Sequence, residues 1–273
     1  MNNKKYKRVC ECFFSPCHNT ETVVKTITNR ISKELELPIS TFDFTTPPSR
    51  IDELNFDEND IVIIGTPVYA GRIPNKILPY VQASIHGNRS LCICAVTFGN
   101  RSFDDALGEL GYLMKKNGFI VIGGAAVVSE HSFAPELASG RPNTEDINEI
   151  DIFAQKIVSK INADLLEEPV FPGEIPPTKY YRPLKENGEP AVFLKAVPVT
   201  DKTLCSDCGI CQKVCPMGVI AKDPSITLGA CIKCQACIKA CPNNARFFDN
   251  EDFLSHKQYL IKNHSIPNTS AFF

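Results

Sequence analysis

The stretch that decides how this chain is organised is C-S-D-C-G-I-C-Q-K-V-C-P at residues 205–216, which recurs as C-I-K-C-Q-A-C-I-K-A-C-P at residues 231–242. Both copies follow the pattern C-x2-C-x2-C-x3-C-P, and they begin 26 residues apart. Eight of the 13 cysteines therefore fall within residues 205–241, while residues 95–204 contain none. This uneven distribution predicts a small cysteine-rich domain that follows a larger domain.

Each copy has the spacing of ligands to an iron-sulfur cluster. Three thiolates at two-residue spacing surround one corner of a [4Fe-4S] cube, and the fourth cysteine, three residues further on, ligates the cluster of the other copy. We therefore predict two [4Fe-4S] clusters whose ligands cross between the copies. One set is Cys205, Cys208, Cys211 and Cys241, and the other is Cys231, Cys234, Cys237 and Cys215.

Zinc is the competing interpretation of these cysteines. The pairs at residues 208/211 and 231/234 are separated by a distance in sequence that falls within the range of a zinc ribbon. That interpretation leaves the other four cysteines without a role, although two of them precede prolines at matching positions. The doubled pattern therefore favours iron and sulfide over zinc.

Residues 200–248 resemble the bacterial two-cluster ferredoxins, a family of small α+β electron carriers. One departure is that Gln235 stands in the second copy where Gly209 stands in the first, so its side chain must point away from the cluster. Residues 199–248 contain six basic and three acidic residues, and two oxidised clusters with their thiolates would add about −4. We expect this near-neutral domain to dock redox partner proteins with little dependence on salt.

Composition excludes several classes of protein. The 273 residues are 43% hydrophobic and 22% charged, with a formal net charge of −2, which gives no electrostatic reason to expect a nucleic acid or an anionic membrane as partner. The odd cysteine count and the absence of a signal-peptide pattern at the start of the sequence predict a reducing cytoplasm. The longest apolar run, residues 119–128, is too short to span a bilayer, so no membrane segment is expected.

Proline and apolar patterns predict four segments. Residues 167–198 contain seven prolines and are expected to form an extended, ordered connector. They separate a domain at residues 1–166 from the two-cluster domain at 199–248, and a helical tail is expected at 249–273.

Residues 1–166 alternate between strand-like and helix-like patterns. The β-like segments are residues 7–14, 39–44, 61–65, 91–97 and 119–128, and several are apolar runs suited to strands buried on both faces. Residues 20–35, 102–117 (with Ser102 as N-cap) and 144–166 have the spacing of amphipathic helices. The prediction is an α/β fold with a doubly wound, parallel, five-stranded sheet, which binds ligands beyond the carboxyl ends of its strands.

Three loops follow strands at that edge of the sheet. The first, residues 14–20, leads into a helix, where hydroxyl groups and free N–H groups form either an anion site or an ordinary N-cap cluster. Together the three loops resemble the flavodoxin family, in which the first binds the phosphate of FMN and the other two flank its ring. The resemblance implies the following FMN-binding residues: Ser15, Cys17, Asn19, Thr20, Pro67, Val68, Tyr69, Ala70, Gly71, Phe98, Gly99 and Asn100. Tyr69 and Phe98 are the expected stacking partners.

The first loop departs from the family pattern at two positions. Cys17 and His18 stand where flavodoxins usually have threonine and glycine, so a hydroxyl donor is lost and a bulky residue occupies a position of positive φ. Glu130 and His131, after the fifth strand, are interpreted either as an acid/base group or as a structural hydrogen-bonded pair. The cysteine pairs at residues 10/12 and 92/94 are expected to act as small core residues.

The whole chain resembles the flavodoxin-ferredoxin fusion proteins. The resemblance implies an iron-sulfur flavoprotein that relays electrons inside the cell between two [4Fe-4S] clusters and FMN, because FMN exchanges one or two electrons and a cluster exchanges one. No catalytic residue is assigned. Two alternatives remain: a flavin reductase fed by the clusters, with His131 or Tyr69 as proton donor, and a cluster-bearing binding or sensor module whose flavodoxin-like domain holds no FMN.

Overall fold

The computed structural model describes residues 5–177 and 179–273. The strands are β1 (Arg8–Phe13), β2 (Ile39–Asp43), β3 (Leu54–Asn55), β4 (Asp60–Pro67), β5 (Ile85–His86), β6 (Leu91–Phe98), β7 (Ile120–Val128), β8 (Val199–Thr200), β9 (Arg246–Phe247) and β10 (Ala271–Phe272). The α-helices are α1 (Asn19–Leu35), α2 (Leu78–Ala83), α3 (Ala106–Lys116), α4 (Thr144–Asn162), α5 (Ile210–Lys213), α6 (Ala236–Lys239) and α7 (Glu251–Asn263). A short 3-10 helix covers Pro47–Arg50.

The main sheet confirms the predicted fold class. Its strands lie in the order β10-β7-β6-β4-β1-β2, and β2, β1, β4, β6 and β7 are parallel to one another. Numbered along the chain, these five strands have the order 2-1-3-4-5, which is the flavodoxin-like doubly wound order. The point where the order reverses lies between β1 and β4, beside the loop that leads into α1.

The tail at 249–273, which the sequence predicted to be helical, is helical only in part. Only Glu251–Asn263 is helical, and Ala271 and Phe272 then pair antiparallel with β7, so the sheet has six strands rather than five. An unpaired edge leaves backbone N–H and C=O groups exposed, and β10 covers part of that edge. A second difference is that α3 begins at Ala106, because the hydroxyl of Ser102 accepts the N–H of Asp104 in a turn before the helix.

The sheet separates two apolar layers. On one face, α1 and α4 contribute Ile27 and Phe153 to a buried cluster, and on the other face Leu110 of α3 packs in a second one. The paired cysteines of β1 and β6 belong to the second cluster and are fully buried, as expected for small core residues. Within the described part of the chain, no helix has the length and apolar character needed to cross a membrane.

The two cysteine-rich copies are folded alike. Helices α5 and α6 are 26 residues apart, and the pairs of residues with positive φ at 207/233, 209/235 and 218/244 have the same separation. Antiparallel pairing of β8 with β9 joins the two ends of the repeat. The structure therefore contains a second, small domain built from two equivalent halves.

The proline-rich connector lies against the flavodoxin-like sheet. The hydroxyl of Tyr180 donates to the carbonyl of Ile73 at 2.8 Å, and the N–H of Tyr181 donates to the carbonyl of Ala70 at 2.8 Å. Phe171 packs so closely against Gly111 and Gly124 that a Cβ at either glycine would lie 2.5 Å from its ring. Further along, Phe193 contacts α7, and the carbonyl of Leu194 accepts a hydrogen bond from Nζ of Lys233 in the small domain at 2.6 Å. The connector therefore contacts both domains.

Candidate functional site

Two cavities in the small domain are each lined by four cysteines. The first cluster cavity contains Cys205, Cys208, Cys211 and Cys241, and the second contains Cys215, Cys231, Cys234 and Cys237. Each set thus brings three cysteines of one copy together with the last cysteine of the other. Each of the two predicted ligand sets therefore lines one cavity.

The two cysteine pairs that a zinc ribbon would bring together, at residues 208/211 and 231/234, line different cavities. Among residues 5–177 and 179–273, no three His, Cys, Asp or Glu side chains come close enough to share one metal ion. A mononuclear tetrahedral site needs that convergence, whereas the iron-sulfur cube is itself a body with a thiolate at each corner iron. The residues present therefore fit the cluster better than they fit zinc.

Gln235 shows how the second copy accommodates a side chain in place of glycine. Its φ is 69°, close to the 72° of Gly209, so a left-handed conformation is retained at the start of both short helices. Its side-chain N–H donates to the carbonyl of Lys233 at 2.9 Å. The left-handed geometry survives the substitution because the amide group is held locally.

The two domains enclose a cleft of about 240 Å³, called here the interdomain cleft. One wall consists of the loops after β1, β4, β6 and β7, which meet at the carboxyl edge of the parallel sheet. The opposite wall includes Ile232, Lys233 and Cys234 of the small domain, with Phe193 of the connector and His256 of α7 along the side. A predicted cluster ligand and the predicted flavin loops therefore line the same space.

The first loop reaches the cleft at the N-terminus of α1. Its lining residues are Ser15, Pro16, Cys17, Asn19 and Thr20. The Oγ of Ser15 accepts the N–H of Glu21, and helix geometry leaves the N–H groups of Asn19 and Thr20 without intrahelical acceptors. His18 has a φ of 66°, so it adopts the glycine-like conformation expected there, with an exposed side chain.

Cys17 makes a contact that the sequence did not predict. Its Sγ donates to the backbone carbonyl of Cys234 at 2.9 Å, so the first loop contacts a residue that lines the second cluster cavity. Nearby, Lys239 of the small domain forms an ion pair with Glu130 at 2.9 Å. The signal in the sequence was the replacement of the usual threonine by Cys17, whose partner lies 217 residues away.

The other two predicted loops reach the cleft only in part. Pro67, Val68, Tyr69, Ala70 and Gly99 line it, whereas Gly71, Phe98 and Asn100 do not.

The three residues outside the cleft have other contacts. Gly71 lies against Asp104, and Phe98 is buried in the core 5.4 Å from the ring of Phe103. The side chain of Asn100 donates to the carbonyl of Ile266 and thereby holds the tail. Tyr69 is the aromatic residue of the predicted stacking pair that the structure brings to the cleft, where burial raises the pKa of its hydroxyl well above the usual value.

His131 faces the cleft beside Gly99 without pairing with its neighbour. The carboxylate of Glu130 binds Lys239 and accepts the N–H of Gly140, so the predicted hydrogen-bonded pair of Glu130 and His131 is not formed. The Nδ1 of His131 is enclosed and has no hydrogen-bond partner among the described residues. Burial lowers the pKa of this imidazole to about 3, so the ring is neutral and offers a hydrogen bond rather than a positive charge.

Comparisons with known proteins give one family match, in the small domain, and several distant structural matches. Residues 197–242 match the family described as 4Fe-4S dicluster domain. Among solved structures, a flavodoxin from the domain Archaea matches with 12% identity and a TM-score of 0.42, covering 57% of this chain and 99% of that one. The flavodoxin, WrbA-like protein from Agrobacterium tumefaciens matches with 13% identity and a TM-score of 0.40, covering 57% and 98%.

A third structural match, rubredoxin oxygen:oxidoreductase from the anaerobe Desulfovibrio gigas, has 15% identity and a TM-score of 0.40, and covers 59% of this chain and 38% of that one. No curated protein matches the sequence. From its strand order and its matched residues, the chain combines an N-terminal flavodoxin-like domain with a C-terminal 4Fe-4S dicluster domain.

Proposed function

We propose that this protein is an intracellular iron-sulfur flavoprotein that relays electrons between two [4Fe-4S] clusters and FMN. The observation that carries the proposal is the interdomain cleft, in which Cys234 faces the loops that begin at Ser15, Pro67 and Gly99. A cofactor bound by those loops would be adjacent to a cluster ligand, with no third domain between them.

In this proposal the clusters are held by the cysteines of the two cluster cavities. Every residue that lines the first cavity belongs to the small domain, and Cys208 within it is exposed. In the second cavity Cys215, Cys234 and Cys237 are buried, and the domains meet beside it, where Arg50 donates to the carbonyl of Pro216 at 2.5 Å. The first cluster is therefore the one open to a redox partner protein, and the second faces the cleft.

The residues of the cleft fit FMN at both of its ends. The N–H groups at the start of α1 and the hydroxyl of Ser15 provide the donors and the helix dipole that stabilise a phosphate. Tyr69, Val68 and Gly99 supply apolar surface for a planar ring, and the unpartnered Nδ1 of His131 offers a hydrogen bond. FMN would supply the capacity to exchange either one or two electrons.

The surrounding residues exclude water and fix this arrangement. Arg101 stacks on the ring of Tyr181 at 4.1 Å, and His256 stacks on Phe193 at 5.5 Å, so connector and α7 close the side of the cleft. Lys239 neutralises Glu130 near the phosphate loop. These contacts keep the two binding regions facing each other.

A second candidate is a flavin reductase fed by the clusters, acting on a substrate that the sequence does not identify. The cleft extends past the flavin loops to a wall of Phe133, Phe193 and Leu260, which would accept an apolar molecule. His131 would serve such a substrate as a neutral hydrogen-bond partner, since its lowered pKa leaves it uncharged.

The composition of the purified protein tests the proposal. After anaerobic purification we expect about eight irons, eight sulfides and one FMN per chain, with little zinc. Stoichiometric zinc would contradict the cluster assignment. Full iron with no flavin, and no binding of added FMN at high micromolar concentration, would favour a cluster-bearing module without FMN.

Substituting Asn19→Asp tests the phosphate loop. It adds a negative charge in the first turn of α1 with almost no change in shape, so FMN affinity should fall at least about tenfold. Asn29→Asp is the matched control, because it adds the same charge to an exposed position of the same helix, roughly 15 Å further along the axis. Equal affinities for the two variants would contradict phosphate binding at this terminus.

A further inference from the structure

Arg246 occupies an unusual position between the two cluster cavities. It begins β9, four residues after the last proline of the cysteine repeat, and it is only 2% exposed. Its side chain lines the first cluster cavity and also the second. No cysteine lines both, so Arg246 is a cation that the two predicted sites share.

The guanidinium group is incompletely partnered by protein. Nη1 donates to the hydroxyl of Thr200 at 2.8 Å and to the carbonyl of Pro224. Nε and Nη2 are buried and have no oxygen or nitrogen partner within residues 5–177 and 179–273, so the neighbouring group with which this guanidinium interacts is the thiol of Cys237. A buried cation with free donors is costly unless a compensating negative charge lies beside it.

We propose that Arg246 is a counter-charge shared by the two clusters and that it favours the reduced state of both. This inference rests on the proposed occupancy of the two cavities by [4Fe-4S] clusters. Each oxidised cluster with its four thiolates would carry a negative charge, and Arg246 lines both of the cavities that would hold them. The cost of burying the cation is thereby offset.

The effect on reduction follows from the charge balance. A cluster gains one electron from a one-electron donor protein and becomes more negative by one unit, with no bond formed or broken. Arg246 holds its positive charge in both states, because a guanidinium group does not lose its proton in proteins. The attraction between Arg246 and a cluster is stronger after reduction, and hydrogen bonds to the sulfurs act in the same direction.

Exposed lysines cannot substitute for this arrangement. Lys222 lines the first cavity only and is exposed to solvent, where water and salt screen its charge. Lys202 is exposed and pairs with Asp223 at 2.5 Å. Arg246 is therefore the residue whose removal should affect both clusters together.

The test is a reductive titration of the full-length, cluster-loaded protein followed by electron paramagnetic resonance. In Arg246→Gln, which keeps an amide donor but no charge, the equilibrium constant for one-electron reduction should fall at least about tenfold at both clusters, or about 59 mV for each factor of ten. Arg246→Lys should restore most of the loss. Lys213→Met removes an exposed cation from α5 and should change either constant less than about twofold.

The iron and sulfide content of each variant shows whether its clusters are retained, and its far-ultraviolet circular dichroism spectrum shows whether it is folded. Changes of less than twofold in Arg246→Gln with eight irons retained would overturn the proposal, and so would a shift at one cluster only. If Arg246→Gln loses its clusters, Arg246→Lys is measured in its place. Wild-type reduction potentials in Arg246→Lys would support the counter-charge. A tenfold fall in its equilibrium constants for reduction would contradict it. Zinc in the wild-type protein would instead refute the proposed function itself.

Discussion

His131 is the residue whose chemistry changes most between sequence and fold. Gly99 lies so close that a Cβ there would be 2.4 Å from the imidazole ring, and the ring of Phe133 stands edge-on at 4.4 Å. This packing removes water from Nδ1 and, with the nearby positive charge of Arg101, lowers the pKa to about 3. The histidine is therefore uncharged throughout the physiological range.

That lowered pKa makes stability depend on pH. In the unfolded chain the imidazole binds a proton below about pH 6.5, whereas in the folded chain it does so only near pH 3, so acid favours unfolding. Between pH 7 and pH 5 the wild type should lose up to about 2 kcal/mol more than His131→Gln. Urea unfolding of both proteins at the two pH values measures this, and parallel losses would contradict it.

Lys239 provides a residue-scale prediction about FMN. Its ion pair with Glu130 keeps that carboxyl's pKa below the usual value and neutralises a charge close to the phosphate loop. Lys239→Met should weaken FMN binding several-fold by leaving the carboxylate unpaired, and adding Glu130→Gln should restore it. Fluorescence titration with FMN distinguishes these variants. Unchanged affinity in Lys239→Met would show that the FMN phosphate does not bind close to Glu130.

At the scale of elements, the two copies of the cysteine repeat depend on each other. Cys215 follows α5 but lies in the second cluster cavity, and Cys241 follows α6 but lies in the first. Cys215→Ala should therefore leave about four irons, with the remaining signal arising from the first cavity, and Cys241→Ala should do the reverse. Paramagnetic resonance with iron analysis reads this out. If Cys215→Ala instead removed the cluster of the first cavity, the crossing of ligands between the copies would be refuted.

The tail is held to the sheet edge by Asn268. Its side chain donates to the carbonyls of Asn100 at 3.2 Å and Arg101 at 3.3 Å, and its N–H donates to Asn100 at 2.9 Å. Asn268→Ala leaves two carbonyls without this donor and should lower the free energy of unfolding by about 1–2 kcal/mol.

Asn263→Ala is the control, since its bond to Tyr259 is exposed and should contribute less than about half as much. Equal shifts of the urea midpoint in the two variants would show that the tail is not anchored there.

These elements also show what the sequence could reveal. Strands β4, β6 and β7 were predictable because strands buried on both faces are continuous apolar runs. The repeat was predictable because the spacing of its cysteines is read directly from the sequence. Phe98 was misplaced although a signal existed, since it shares a strand face with Cys92 and Cys94 and that face packs in the core. Strand β10 is only two residues long, too short to show a hydrophobic periodicity in the sequence. Its pairing with β7 involves residues distant in sequence, so it could not be predicted.

At the scale of the molecule, the contacts hold the two domains in one arrangement. Cys17 binds the backbone of Cys234, Lys239 binds Glu130, and the connector packs on the sheet before it reaches α7. The predicted flavin loops, the second cluster cavity and the first cluster cavity therefore follow one another from the carboxyl edge of the sheet to the surface. A redox partner that docks at the first cavity would be separated from the cleft by the second.

The most direct test of the central claim is a stopped-flow measurement on the full chain with clusters and FMN bound. Reduction of the clusters by an excess of a one-electron donor should be followed by flavin reduction at a rate that stays constant when the protein concentration is varied tenfold. Covalent linkage of the two domains alone raises the effective concentration of the clusters at the flavin to the millimolar range. The cleft that both domains line would bring the cofactors closer still. A rate that rises linearly with protein concentration, or clusters that reduce while the flavin does not, would contradict the relay.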